Sequence, residues 1–165
     1  MAVLASSWLA LPGARAADPA EWLAGADVSS LATLEQHGAV YRDGRRAGDA
    51  LAILRDRGLN CFRLRLFVAP NGEDVVTNDL AYTLALAKRV KASGAKLFLD
   101  IHYSDTWADP AKQFKPAAWV DLAFPELVAT VQTYTTATLQ AFVREGVAPD
   151  FVQLGNEITN GMLWP

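Results

Sequence analysis

Residues 60–68 read Asn-Cys-Phe-Arg-Leu-Arg-Leu-Phe-Val. The run is dense in strand-favouring residues and is closed by Pro70, so it predicts a β-strand. Phe62, Leu64 and Leu66 fall on one face, Arg63 and Arg65 on the other. Working outward, residues 46–57 predict a helix with Leu51, Ile53 and Leu54 on its stripe and Gly58 as its stop, and residues 25–29 predict a short strand before it. Downstream, Asp79 predicts a cap for a helix carrying Leu80, Leu84, Ala87 and Val90 and ended by Gly94. Residues 96–103 (KLFLDIHY) form the next strand. Residues 125–145 form a long helix with Leu127, Val131, Tyr134, Thr138 and Phe142 on one side, and residues 150–155 the last strand.

Strand and helix therefore alternate, which implies βαβ units and a parallel sheet. The strands start at residues 25, 60, 96 and 150, in steps of 35, 36 and 54 residues. The first two steps fit a repeating β/α unit, and the third holds a long loop over residues 104–124. A closed (β/α)8 TIM barrel takes about 250 residues. Four strands are visible in this chain of 165 residues, so the expectation is the N-terminal half of such a barrel, about four β/α units. An open half barrel exposes two strand edges. No Gly-x-Gly-x-x-Gly or phosphate-loop motif follows any strand, which argues against a dinucleotide fold.

Fifteen basic against eighteen acidic residues, with no basic run, exclude a strongly basic nucleic-acid binder. Cys61 alone makes neither an intrachain disulfide nor a Cys-rich zinc site. Residues 1–16 (MAVLASSWLALPGARA) are mostly small and apolar and end in Ala-Arg-Ala, as a signal-peptidase site does, although no Lys or Arg precedes the apolar part. The expected organisation is a signal peptide over 1–16 and a barrel domain over 17–165, in a secreted protein, extracellular or periplasmic. No stretch reaches the roughly 18 apolar residues of a membrane span.

In a barrel the apolar face of a strand packs on the helices, so Arg63 and Arg65 point inward. Two inward cations are costly without anions, which favours a carboxylate-rich site over a purely structural ion pair. On residues 96–103, Phe98, Asp100 and His102 share a face, and Asp100 and His102 look the same way as the arginines, near the carboxyl end where barrel enzymes carry chemistry. Gln153 and Glu157 share parity on the last strand, with Glu157 at its carboxyl end. Glu157 can hand a proton to a leaving oxygen, and Asn156 can hydrogen-bond a sugar hydroxyl. Trp107 offers a flat face for a pyranose ring, whereas Trp119 has no polar neighbours and reads as an anchor. Two other classes stay open: a fragment that only binds sugar, and a metal-dependent barrel hydrolase using Asp100, His102, Asp105 and Glu157, against which stands the absence of a His-x-His pair.

The run from Leu99 through His102-Tyr103-Ser104-Asp105-Thr106-Trp107-Ala108-Asp109-Pro110, with Gln113 and Pro116-Ala117-Ala118-Trp119, resembles the arabinogalactan endo-β-1,4-galactanases, glycoside hydrolase family 53. So do residues 25–30, 62–66, 152–158 and 161–165, and together these motifs span residues 25 to 165. The resemblance implies a (β/α)8 barrel that cleaves internal β-1,4-galactosidic bonds of pectic type I galactan with retention of configuration. It implies that Glu157 is the proton donor, that Asn156 is the Asn preceding it, and that Arg63 steadies the nucleophile. Asp27, His102, Asp105 and Trp107 fall on motifs at the rim of the substrate cleft. Phe67 stands where many members carry Trp. The family's nucleophile is a second Glu at the end of strand seven; Glu73, Glu126 and Glu145 sit in loops or helices, so the fragment is expected to be inactive alone. No cofactor is implied, and a calcium site in the family's later loops would lie beyond Pro165. The implied partner is galactan polysaccharide, with no nucleic acid, no membrane span and a monomeric full-length protein.

Overall fold

The computed structural model describes residues 22–164. The leader expected over 1–16 lies outside the described residues. The element order is β1 (Gly25–Asp27), α1 (Leu31–Gln36), β2 (Arg42–Asp43), β3 (Arg46–Ala47), α2 (Ala50–Asp56), β4 (Cys61–Leu66), α3 (Leu80–Ala92), β5 (Lys96–Ile101), α4 (Phe124–Arg144) and β6 (Phe151–Leu154). β1, β4, β5 and β6 form one parallel sheet in that order, as the alternation predicts for the first units of a (β/α)8 barrel. The register sets Asp27 beside Arg63, Arg65 beside Asp100, and Asp100 beside Gln153. The chain is thus a partial barrel. Among the described residues, β1 and β6 are each unpaired on their outer side.

The two faces of the sheet divide as the alternation requires. Phe62, Leu64, Leu66, Leu97, Leu99 and Ile101 are fully buried with Leu86, Val90 and Phe142 of the covering helices. Burying each such side chain contributes about 1.5–3 kcal/mol. On β6 this face is only part-covered, and Leu154 remains 54% exposed.

Three expectations shift. The helix expected from residue 46 starts at Ala50, because Arg46–Ala47 pairs antiparallel with Arg42–Asp43 around Gly44, and the Asp49 side chain then caps the Ala52 N–H at 3.0 Å. The buried stripe of α3 is Thr83, Leu86, Ala87 and Val90; Leu80 faces outward, because in the first turn it is Thr83 that meets the sheet, its hydroxyl donating to Arg65 O of β4 at 3.3 Å. β5 ends at Ile101, and Tyr103 takes a φ of 52° that leads the chain out of the sheet.

Gly155, one residue past β6, has φ 86°, and a Cβ there would come 2.6 Å from Ile158 Cγ2. Gly155→Ala should therefore lower the unfolding free energy by about 2 kcal/mol or more. In an Ile158→Ala background the penalty should shrink to the backbone part, about 1 kcal/mol. Urea denaturation of the four chains measures both, and a Gly155→Ala chain as stable as the parent would contradict the assignment.

Candidate active site

The polar face of the sheet is organised by Arg63. Its Nη1 donates to Asp27 Oδ2 at 2.7 Å, and its Nη2 donates to Asp100 Oδ2 at 2.5 Å and to Asn156 Oδ1 at 2.8 Å. One side chain on β4 thus reaches β1, β5 and the turn after β6. Arg65, two residues on and 7% exposed, adds a longer contact of 3.4 Å from Nη2 to Asp27 Oδ1. The two inward cations face two carboxylates, as the burial cost demands.

Burial pushes the Asp27 carboxyl up, but hydrogen bonding from Ser29 together with Arg65 and Arg63 outweighs it and holds the group below its ordinary value. Burial pushes the Arg65 guanidinium down, against the pull of Asp27. Asp100 is fully buried. His102 accepts the Ala108 N–H at Nδ1 (3.2 Å), so its proton belongs on Nε2, which stands 2.9 Å from Asp100 Oδ2 but out of line for a hydrogen bond.

The loops after β5 and β6 are sewn together. Asn156 donates from Nδ2 to Ala108 O at 2.7 Å, and the buried Gln113 donates from Nε2 to Asn156 O at 2.8 Å and Asp109 O at 3.0 Å. Glu157 follows with φ 51°, a left-handed conformation that a non-glycine residue adopts only under local constraint. Its side chain is exposed and takes no hydrogen bond from the described residues. It lines a cleft of about 610 Å³ with Arg63, Trp107, Asp109, Lys112 and Asn156. A larger hollow of about 690 Å³ lies beside β1, α1 and α2, walled by Leu31, Leu34, Ile53 and Leu54; its lining is mainly aliphatic and does not include Glu157.

Six of the expected residues, Asp27, Arg63, His102, Trp107, Asn156 and Glu157, meet in this cleft or directly behind it. Asp105 does not: its two carboxylate oxygens accept the Ala69 and Ala117 N–H groups at 2.9 and 2.8 Å, so it braces two loops instead of facing the cleft. This also separates Asp105 from the ligand set imagined for a metal, and among the described residues no three His, Cys, Asp or Glu side chains converge on one point. Trp119 is buried edge-on to Tyr134 at 5.6 Å, an anchor as expected. Gln113 was visible only as part of a motif. Its part in joining the loops could not be read from strand parity, because it lies on no strand.

A sequence model of Glycosyl hydrolase family 53 matches residues 23–165. A probable arabinogalactan endo-beta-1,4-galactanase A of Aspergillus terreus is 44% identical over 142 residues, covering 86% of this chain and 40% of that protein. The Endo-beta-1,4-galactanase of Bacillus subtilis is 40% identical over 147 residues, 86% of this chain and 34% of its own. A solved Ignisphaera aggregans GH53 catalytic domain superposes with a TM-score of 0.83 at 39% identity, covering 90% of this chain and 43% of the other. The chain thus spans about two fifths or less of the length of the curated relatives it matches.

Because the Asp27 carboxyl is held low in the folded state, the unfolded chain takes up its proton first as the pH falls. The stability from Asp27 is therefore complete above about pH 4 and is lost as the pH drops through the folded-state value. Asp27→Asn should be less stable than the parent at neutral pH, and the gap should close in acid. Urea titrations between about pH 7 and about pH 3 measure the gap; a gap constant over that range would contradict the assignment.

Proposed function

The chain belongs to glycosyl hydrolase family 53, and from that premise we propose that it is the N-terminal part of an endo-acting, retaining hydrolase of β-1,4-galactosidic bonds in arabinogalactan. The observation that carries this is Glu157, an exposed carboxyl in the turn that follows the carboxyl end of β6, set in one cleft with Arg63, Asn156 and Trp107. Glu157 gives its proton to the oxygen of the departing sugar. Asn156 has its Oδ1 committed to Arg63 and one amide hydrogen to Ala108, which leaves one N–H to donate to a hydroxyl of the bound sugar. Trp107 supplies the flat apolar surface for a pyranose ring. Asp27 and Asp100 balance Arg63, whose charge in turn steadies the nucleophilic carboxylate. The substrate is a polymer outside the cell, so the protein is exported, with residues 1–16 as its leader.

Retention needs two carboxyl groups about 5–5.5 Å apart. Asp109, the other carboxylate of the cleft, accepts the Ala111 N–H at 2.8 Å and lies 3.8 Å from Lys112. Asp27 and Asp100 are held by arginines, and Glu126 accepts the Ala123 N–H at the start of α4. No second carboxylate among the described residues is offered to the anomeric carbon, so the 165-residue chain binds galactan without cleaving it.

Two assays test this. The purified chain should release no reducing ends from galactan; turnover that Glu157→Gln abolishes would overturn the inactivity and keep the donor role. Grafting residues 23–165 onto the remainder of the Bacillus subtilis relative should give an active chimera. There Glu157→Gln should lower kcat on galactan by about 10²- to 10⁴-fold. The loss should be much smaller on a nitrophenyl galactobioside, whose leaving group departs without a proton. Equal losses on the two substrates would refute the donor role.

A further inference from the structure

Among the described residues Trp107 is the one aromatic side chain lining the cleft that holds Glu157, and the residue is 41% exposed. An indole on a loop tip is a useful sugar-binding surface only if its plane is fixed in advance, because an immobilised side chain costs less to order on binding. Three groups hold this one. The Arg65 guanidinium carbon lies 3.8 Å from the ring centroid, over its face. Phe67 and His102 meet it edge-on at 5.9 and 6.2 Å.

Arg65 is itself rigidly held. It projects from β4 one residue before the strand's end, its backbone N–H donates to Ser29 Oγ at 2.8 Å, and its Nη2 reaches Asp27. Its Nη1 is buried and has no hydrogen-bond partner among the described residues. A buried guanidinium N–H left without an oxygen acceptor is costly. The indole face beside it, electron-rich and within cation–π reach, is the compensating partner. Salt bridging to Asp27 alone would need only a charge; the flat approach to Trp107 needs the planar fork of an arginine.

We propose that Arg65 is a positioning residue of the cleft. By stacking under one face of Trp107 it fixes the indole plane, so that the opposite face forms a preset platform for a sugar ring beside Glu157. The identity of that sugar rests on the galactan function proposed above; the control of the indole by Arg65 does not.

The test uses the 165-residue chain and two-dimensional nitrogen–proton NMR, with the Trp107 indole N–H assigned from a Trp107→Phe variant. In the parent, the Arg65 side-chain Nε–H should be displaced upfield by the ring current of the indole. Arg65→Met should shift and broaden the Trp107 indole resonance. Arg65→Lys should do the same while keeping the urea midpoint near the parent's, because the charge facing Asp27 is retained. Titration with β-1,4-galactotetraose should show binding weakened about fivefold in Arg65→Met. The double variant with Trp107→Ala should lose no more than Trp107→Ala alone. An Arg65→Lys chain with an unchanged indole resonance, losses that add in the double variant, or an Arg65 Nε–H with no ring-current shift would each overturn the proposal. The last measurement needs no variant to fold. A parent chain that ignores galactotetraose would overturn the galactan binding proposed above for this chain, and the indole and Nε–H signals would still decide the role of Arg65.

Discussion

The candidate site depends on a single guanidinium that must satisfy two neighbouring strands and the turn after a third at once. Arg63 can reach Asp27, Asp100 and Asn156 only if β1, β5 and the turn after β6 stand in one register around β4. Asp100 is fully buried, and removing its counter-charge would strand an anion away from water, which costs several kcal/mol in typical proteins, about 3–5. The aliphatic face of the same sheet imposes the complementary condition, since Phe62, Leu64 and Leu66 have no exposure to lose. A slip of one residue would put arginines among the helices and leucines in the cleft. Charge on one face and packing on the other thus specify the same register.

Beyond the strand ends the chain departs from regular geometry where the chemistry is placed. Tyr103 after β5 and Glu157 after β6 both sit at positive φ. Such residues cost of order 1–3 kcal/mol each and persist where surrounding contacts over-determine them. Those contacts are identifiable. The Tyr103 hydroxyl meets Thr135 of α4 at 2.7 Å, and Gln113 and Ala108 grip the backbone and side chain of Asn156 just before Glu157. Tyr134, whose hydroxyl burial pushes up to about 12, points to Phe67 O at 3.3 Å and so ties α4 to the chain after β4. The loops are therefore part of a braced rim, and Asp105 belongs to that bracing.

The alternation of strands and helices and the inward turn of Arg63, Arg65, Asp100 and His102 were legible in residues 25–102, because period-two and period-3.6 patterns state which face each side chain takes. Glu157, expected on the last strand by its parity with Gln153, lies three residues past β6 at positive φ, where strand parity no longer applies. The resemblance carried by residues 99–119 added the chemistry that periodicity cannot supply. The hairpin before α2 is not legible because two-residue strands carry no period, and the outward turn of Leu80 because the buried position of its turn is taken by a polar residue, Thr83.

What the sequence by itself determined is the set of faces: which residues are cationic, acidic or apolar on each strand, and hence a parallel half of a barrel with a polar interior. What only the tertiary structure decided is which of those groups meet. Asp105 lies three residues from His102 in the chain yet braces Ala69 and Ala117, while Asp27 and Asn156, 129 positions apart, share one arginine. Local spacing fixes direction along one element. Pairing across elements depends on loop paths and on the balance of buried charge, and these exist only once the strands are side by side.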